Sequence, residues 1–392
     1  MISAEDALAH ILANRPQPRA ETVALDAALG RVLAEDVIAQ LTLPPRDASA
    51  MDGYAVQLSD VREAGSVLTV IGEAPAGQPF AGAIKAGQAV RIFTGGAMPQ
   101  GADHIIIQEN VTRKGEQVIT SAAQERERHI RKAGIDFSKG DILLTAGTRL
   151  SPLHIALAAA GNHAELSVKR RLKVALIANG DELKAPGSAL SKGDVISSNA
   201  AAIGALVQSW GGEPLDLGIA TDNIESITAL IRRASEADII VPIGGASVGD
   251  YDYMRKAFAA RGLALIFEKI AVRPGKPTWL GTLGEALVLG LPGNPASAVV
   301  CALLFLKVAM SAADSLTLSQ AVLSQDVPAN GPRETYLRGK TTFTPQGHIE
   351  ITPFPRQDSS LLTPFAKANA LLQLAPNAGP WQKGDVINYF AL

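Results

Sequence analysis

The sequence predicts a multidomain protein of α/β plus β type, organised around a central doubly wound α/β domain. Three observations carry that expectation. Between residues 172 and 310, strand-like and helix-like runs alternate, the pattern of a parallel sheet covered on both faces. On either side, short β-type runs separated by glycine clusters point to β-rich pieces. At 392 residues the chain also exceeds the roughly 250 to 300 residues at which a single core stops growing.

Each element follows in order. Ser3 before Glu5 and Asp6 is a helix start, and Ala7, Leu8, Ile11 and Leu12 supply the apolar stripe. A second helix is expected over residues 25–33. Leu43-Pro44-Pro45-Arg46-Asp47 then halts helical structure and opens an extended stretch through Ser49-Ala50-Met51-Asp52-Gly53-Tyr54-Ala55. The runs 67–71, 89–94 and 104–108 suggest a small β-rich domain, after which residues 134–150 are extended and Ser151-Pro152 begins an alanine-rich helix. The N-terminal helices and this later part are expected to pack together, with the β-rich piece inserted between them. In the α/β stretch, strands are expected at 172–178, 213–220, 238–243, 263–272 and 287–291, with helices at 199–210, after Asn223, near 252–260 and from Asn294. The runs 335–343, 349–353, 370–374 and 386–390 resemble a compact β-barrel or sandwich.

Bulk properties exclude several classes. A composition 47% hydrophobic and 19% charged is that of a globular chain, and a formal charge of -2 argues against a protein that coats nucleic acid. The longest apolar segment, 296–306, stops at Lys307 and falls short of the roughly 20 residues that span a bilayer, so no membrane role is expected. Cys301, the single cysteine, lies inside that run and reads as a core thiol; a reducing cytoplasm is the simplest setting. Neither a nucleophile, base and orienting-acid arrangement nor a Cys/His metal spacing is visible.

The chemistry gathers at strand ends, where open α/β sheets bind ligands. Asn179-Gly180-Asp181-Glu182-Leu183 projects acids that suit a hydrated Mg2+ or a sugar hydroxyl, or that simply make a polar turn. Gly244-Gly245-Ala246-Ser247-Val248-Gly249 offers backbone N–H groups and a hydroxyl to an oxyanion. Asp252 and Asp222 lie at neighbouring strand ends; helix capping accounts for either acid alone, and metal binding for several that converge. Arg273-Pro274-Gly275-Lys276-Pro277 presents two cations on a loop stiffened by prolines, as a dianion requires. Leu291-Pro292-Gly293-Asn294-Pro295 combines a turn, a capping Asn294 and Pro295 at a first helical position.

Together with Ile92-Phe93-Thr94-Gly95 and the Asp52 stretch, these motifs resemble the MoeA family, the molybdopterin molybdenumtransferases, in the family's order over essentially the whole chain. The resemblance implies an elongated discontinuous domain (1–46 and 133–169), an inserted β-rich domain (47–132), an α/β molybdopterin-binding domain (170–312) and a C-terminal β-barrel domain (313–392). It implies a homodimer that binds adenylylated molybdopterin, cleaves its pyrophosphate bond in a step dependent on Mg2+ and molybdate, and inserts molybdenum with release of AMP. Carried over by position, Asp52 and Thr94 would reach the cleft from the partner subunit. Glu182, Asp222 and Asp252 would position the metal and the substrate's nucleotide end and, with Asp52, do the catalytic work. Gly180, Asp181, Asn199, Gly244, Gly245, Ser247, Gly249, Pro277, Pro292, Gly293 and Asn294 would line the substrate site, and Arg273, Lys276, Arg333 and Ser359 would hold molybdate. Transient contact with molybdopterin adenylyltransferase and with molybdoenzyme maturation proteins is implied as well. Four positions depart from the family pattern: Arg273 for lysine, Asn179 for threonine, Ile196-Ser197-Ser198-Asn199 for a Tyr-Asp-Ser/Thr-Asn run, and Asp358 for glycine. The rival readings are the preceding adenylyl transfer from ATP and a non-catalytic molybdopterin-binding scaffold.

Overall fold

The structure is a computed structural model that describes residues 1–126, 128–244, 253–310, 317–345 and 347–392. It divides into two compact units, residues 1–19 with 170–392, and residues 20–169.

In the larger unit, helix α1 (Ala4–Asn14) is followed by β1 (Lys173–Asn179), α2 (Asn199–Ser209), β2 (Glu213–Ala220), α3 (Ile224–Arg233), β3 (Ile239–Ile243), α4 (Tyr253–Ala260), β4 (Ala264–Phe267), β5 (Trp279–Leu283), β6 (Ala286–Gly290) and α5 (Pro295–Cys301). The sheet runs β2-β1-β3-β6-β5-β4. Period-two alternation decides which side chain meets which layer. Val174 and Leu176 of β1 face a core shared with α1, α2 and the segment after α5, whereas Ala175 and Ile177 face one shared with α3 and α4. Helices therefore cover both faces, as the doubly wound reading requires.

Local chemistry starts and stops these helices. In α1 the Ser3 hydroxyl and Asp6 carboxylate form a reciprocal capping box. The Asn223 side chain accepts from Ser226 N at the start of α3, and Arg232 and Arg233 complement the dipole at its end. Asn294 stands at the cap position of α5 but makes no side-chain cap; Ala296 N donates instead to the Ser359 carbonyl at 2.9 Å. The capping role expected for Asn294 thus passes to a neighbouring loop.

The sheet also contains a strand the sequence reading missed. β5 lies antiparallel between β6 and β4, so the sheet is mixed rather than wholly parallel. Its sequence, Trp-Leu-Gly-Thr-Leu, carries an interior glycine and follows a proline loop, which hides it from pattern reading.

The C-terminal strands β7 (Leu318–Leu323), β8 (Glu334–Phe343), β9 (Ile349–Pro353), β10 (Ala370–Leu374) and β11 (Val386–Ala391) pair in the ring β8-β9-β7-β11-β10-β8, a closed barrel without free edges. Val272–Arg273 adds in parallel beside Glu334 and Thr335, which ties the cation loop to this barrel.

The smaller unit holds a six-stranded sheet in the order His104–Ile107, Gly53–Val56, Gln88–Ile92, Val67–Ala74, Gln117–Thr120, Val111–Lys114. A separate cluster packs Ala28, Leu33 and Val37 with Leu144, Leu150, Ala158, Leu166 and Val168 around helix Pro152–Ala160. The helix expected over 25–33 is a single 3-10 turn, Leu25–Ala27. Beyond it Gly30 N and Leu33 N bond to the carbonyls of Leu150 and Thr148, so tertiary pairing replaces the helical ladder.

Candidate functional site

The site is built on the carboxyl ends of β1, β2, β3 and β6. At the end of β1 the chain turns at Gly180, whose φ is 154° and where a Cβ would lie 2.7 Å from the Glu182 carboxylate. Only glycine passes that point without displacing the acid. Asn179 Nδ2 donates to Asp222 Oδ1 at 2.5 Å, and Asp222 N donates to Asp181 Oδ1 at 2.9 Å. The turns after β1 and β2 are thereby laced together, because the two strands pair in parallel up to Asn179 and Ala220.

A first cleft of about 590 Å3 opens beside this turn, with Asn179, Glu182, Asn199, Gly244, Pro292 and Gly293 among its lining. Asn199 Nδ2 donates to the Gly293 carbonyl at 2.7 Å and pins the start of α2 to the loop after β6. Asn179 Oδ1 is buried and has no hydrogen-bond partner among the described residues. Gly180, Asp181 and Asp222 are not in its lining; they brace the turn behind Glu182.

A second cleft of about 620 Å3 adjoins the first and shares Pro277 and Asn294 with it. Arg273, Lys276, Arg333 and Ser359 all line it. Arg333 Nη1 reaches the Val272 carbonyl at 3.4 Å, and Asn294 Nδ2 donates to Ser359 Oγ at 3.1 Å. Cations on two stiff segments with a hydroxyl opposite form a cradle for an oxyanion. Asp358 lies here too, and hydrogen bonds from the Ser360 hydroxyl and N–H hold its carboxyl below the usual carboxylate range.

Sequence reasoning missed the residue that shapes this loop. Arg338, 1% exposed in β8, donates through Nη2 to the Asp358 carbonyl and through Nη1 to the Leu361 carbonyl, both at 3.0 Å. Gln357 Oε1 accepts from its N and Nε, while Gln357 Nε2 donates to the carbonyls of Arg338 and Phe354. Burial lowers the guanidinium pKa, with the Asp358 charge opposing. An arginine between Leu337 and Gly339 in an alternating strand was the available signal.

Asp52 and Thr94 belong to the smaller unit. Asp52 Oδ1 accepts from Thr94 N at 2.7 Å and from Thr94 Oγ1 at 2.8 Å, and those two bonds hold its carboxyl below its ordinary range. Gly245, Ser247, Gly249 and Asp252 lie outside the described residues. Among the described residues no three His, Cys, Asp or Glu side chains cluster as a metal site. Glu182, which lines the first cleft, is a hard oxygen donor, and Mg2+ is commonly held by one or two carboxylates completed by substrate phosphates, so this acid fits that ion. No helix among the described residues is long and apolar enough to cross a membrane.

The chain matches three family models end to end: "MoeA N-terminal region (domain I and II)" over residues 2–161, "Probable molybdopterin binding domain" over 175–312, and "MoeA C-terminal region (domain IV)" over 320–392. It is 34% identical to a molybdopterin molybdenumtransferase of Haemophilus influenzae, over 99% of this chain and 98% of that one. A molybdopterin molybdenumtransferase of Bacillus subtilis is 32% identical over 98% of this chain and 93% of its own. Among solved structures, a molybdopterin biosynthesis moeA protein of Pyrococcus horikoshii OT3 superposes with a TM-score of 0.85 at 27% identity, covering 100% of both chains.

Proposed function

We infer that this chain, which belongs to the MoeA family, is a molybdopterin molybdenumtransferase: it inserts molybdenum into adenylylated molybdopterin and releases AMP, the last step of molybdenum cofactor synthesis. The observation that carries the inference is the pair of adjoining clefts at the strand ends. One is walled by an acid, amides and close-approach backbone; the other is walled by Arg273, Lys276, Arg333 and Ser359.

In this reading the first cleft receives the phosphate-bearing substrate, and the second collects molybdate, a tetrahedral dianion suited to charge-assisted hydrogen bonds. Glu182 and Asp222 would hold Mg2+, which offsets pyrophosphate charge when bound. Asp222, outside the cleft lining, is held by Asn179 and by the Asp181 turn and belongs to this reading on the strength of the sequence motif. Lys276 and Arg273 fix the oxyanion close to the substrate's dithiolene, which replaces a bimolecular encounter with a positioned one. Asp252, Ser247, Gly245 and Gly249 belong to the same proposal on the strength of the sequence motif. So do the four domains with the boundaries given above, except that helix α1 packs in the core of the α/β domain and not with 133–169 as expected, and the partner subunit of a homodimer as the source of Asp52 and Thr94. A reducing cytoplasmic setting is also part of it, supported by a lone cysteine that is buried.

The test is direct: incubate purified protein with adenylylated molybdopterin, Mg2+ and molybdate, and follow AMP and protein-bound molybdenum cofactor together. Both should rise. Consumption of ATP with free molybdopterin would mark an adenylyltransferase, and binding without AMP release a scaffold.

A further inference from the structure

We propose that Thr278 and Cys301 are positioning residues that fix the shape of the 273–277 loop, and so set how tightly its two cations hold an oxyanion. The proposal rests on the reading of the second cleft as the oxyanion site. Neither residue lines that cleft, and both are 0% exposed. Their effect must therefore pass through the loop.

The contacts converge on Gly275, which separates Arg273 and Lys276 from opposite sides. Its carbonyl accepts from the Thr278 hydroxyl at 2.8 Å and from Thr278 N at 3.1 Å, so both lone pairs are engaged by one residue. Cys301 Sγ lies 3.1 Å from the same hydroxyl oxygen and 3.8 Å from the carbonyl. At Gly275 the φ angle is 129°, and a Cβ would meet that sulfur at 2.3 Å, so the loop is seated directly on the side chain of α5. Burial pushes the Cys301 thiol up to about 12, which leaves it protonated, poorly nucleophilic and able to donate to the Gly275 carbonyl. From below, then, the loop is fixed by a hydroxyl and a thiol; at its start Val272–Arg273 is paired to the barrel. Two cations on a loop fixed from two sides keep their separation when an anion arrives, the condition for a preorganised site.

Full-length wild type, Thr278→Val, Thr278→Ser and Cys301→Ala are compared for equilibrium binding of molybdate alone and of AMP alone, with thermal melting alongside. Thr278→Val, which keeps the shape and removes the hydroxyl, should weaken molybdate at least tenfold while AMP stays within twofold. Thr278→Ser should restore molybdate binding to within threefold of wild type. Should the valine variant not fold, Cys301→Ala, which removes a single sulfur atom, carries the same expectation of selective molybdate loss at threefold or more. Wild type that binds no molybdate would overturn the reading of the cleft and this proposal with it. Wild type that binds while the folded variants bind equally well, or variants that lose molybdate and AMP in parallel, would overturn the positioning role alone.

Discussion

At the scale of single residues, the acids differ in what holds them. Asp52 is half-buried, and both of its described side-chain bonds fall on Oδ1, which orients the carboxylate. Asp52→Asn should therefore lower AMP release by about a hundredfold or more, the range for a lost acid–base or charge role, with the melting temperature unmoved; unchanged turnover would remove Asp52 from the site. His104 is the opposite case: it is fully buried, Nε2 has no hydrogen-bond partner among the described residues, and burial lowers its pKa with Gln124 opposing. Because the folded state resists protonating it, its contribution to stability is complete above the ordinary pKa of about 6.5 and is lost as pH falls below that value. Urea melts from pH 7.5 to 5 should show this loss in wild type and a smaller one in His104→Asn. The strand-end acids and the proline-bounded cations stood out in the sequence because several fall at neighbouring strand ends, although a polar turn or a helix cap accounts for each acid alone. Arg338 did not: a lone arginine in a strand reads as solvent-facing, and only the fold supplies the carbonyls of Asp358 and Leu361 that make its burial tolerable.

At the scale of elements, legibility followed period and punctuation. The runs of α/β type were read because their strands and helices are long and regularly spaced, and the barrel strands because they alternate. Residues 25–33 misled because their helical composition is overridden by pairing of Gly30 and Leu33 with the 148–150 segment. Two substitutions test elements directly. Gly275→Ala forces a side chain against Cys301 at a backbone angle that disfavours it, and should cost about 2–4 kcal/mol in urea unfolding together with most molybdate binding. Arg338→Met leaves the Asp358 and Leu361 carbonyls without these donors and removes one of the two donors to Gln357 Oε1, and should cost about 2–4 kcal/mol while loosening the Ser359 loop, seen as faster proteolysis within 354–362. Wild-type stability in either variant would contradict the contacts described.

In the whole molecule, Asp52 and Thr94 stand in residues 20–169 and the two clefts in the other unit. If the homodimer supplies Asp52 from its partner, mixing inactive Asp52→Asn and Lys276→Ala proteins and allowing exchange should restore about a quarter of wild-type activity, because half the dimers are mixed and each has one intact site. No recovery after verified exchange would mean that each subunit completes its own site. Molybdenum insertion itself is tested by measuring AMP released and molybdenum incorporated when the purified wild-type protein meets adenylylated molybdopterin, Mg2+ and molybdate. The expected result is AMP and cofactor formed in equal amounts, both dependent on molybdate; AMP release indifferent to molybdate, or no release at all, would contradict it.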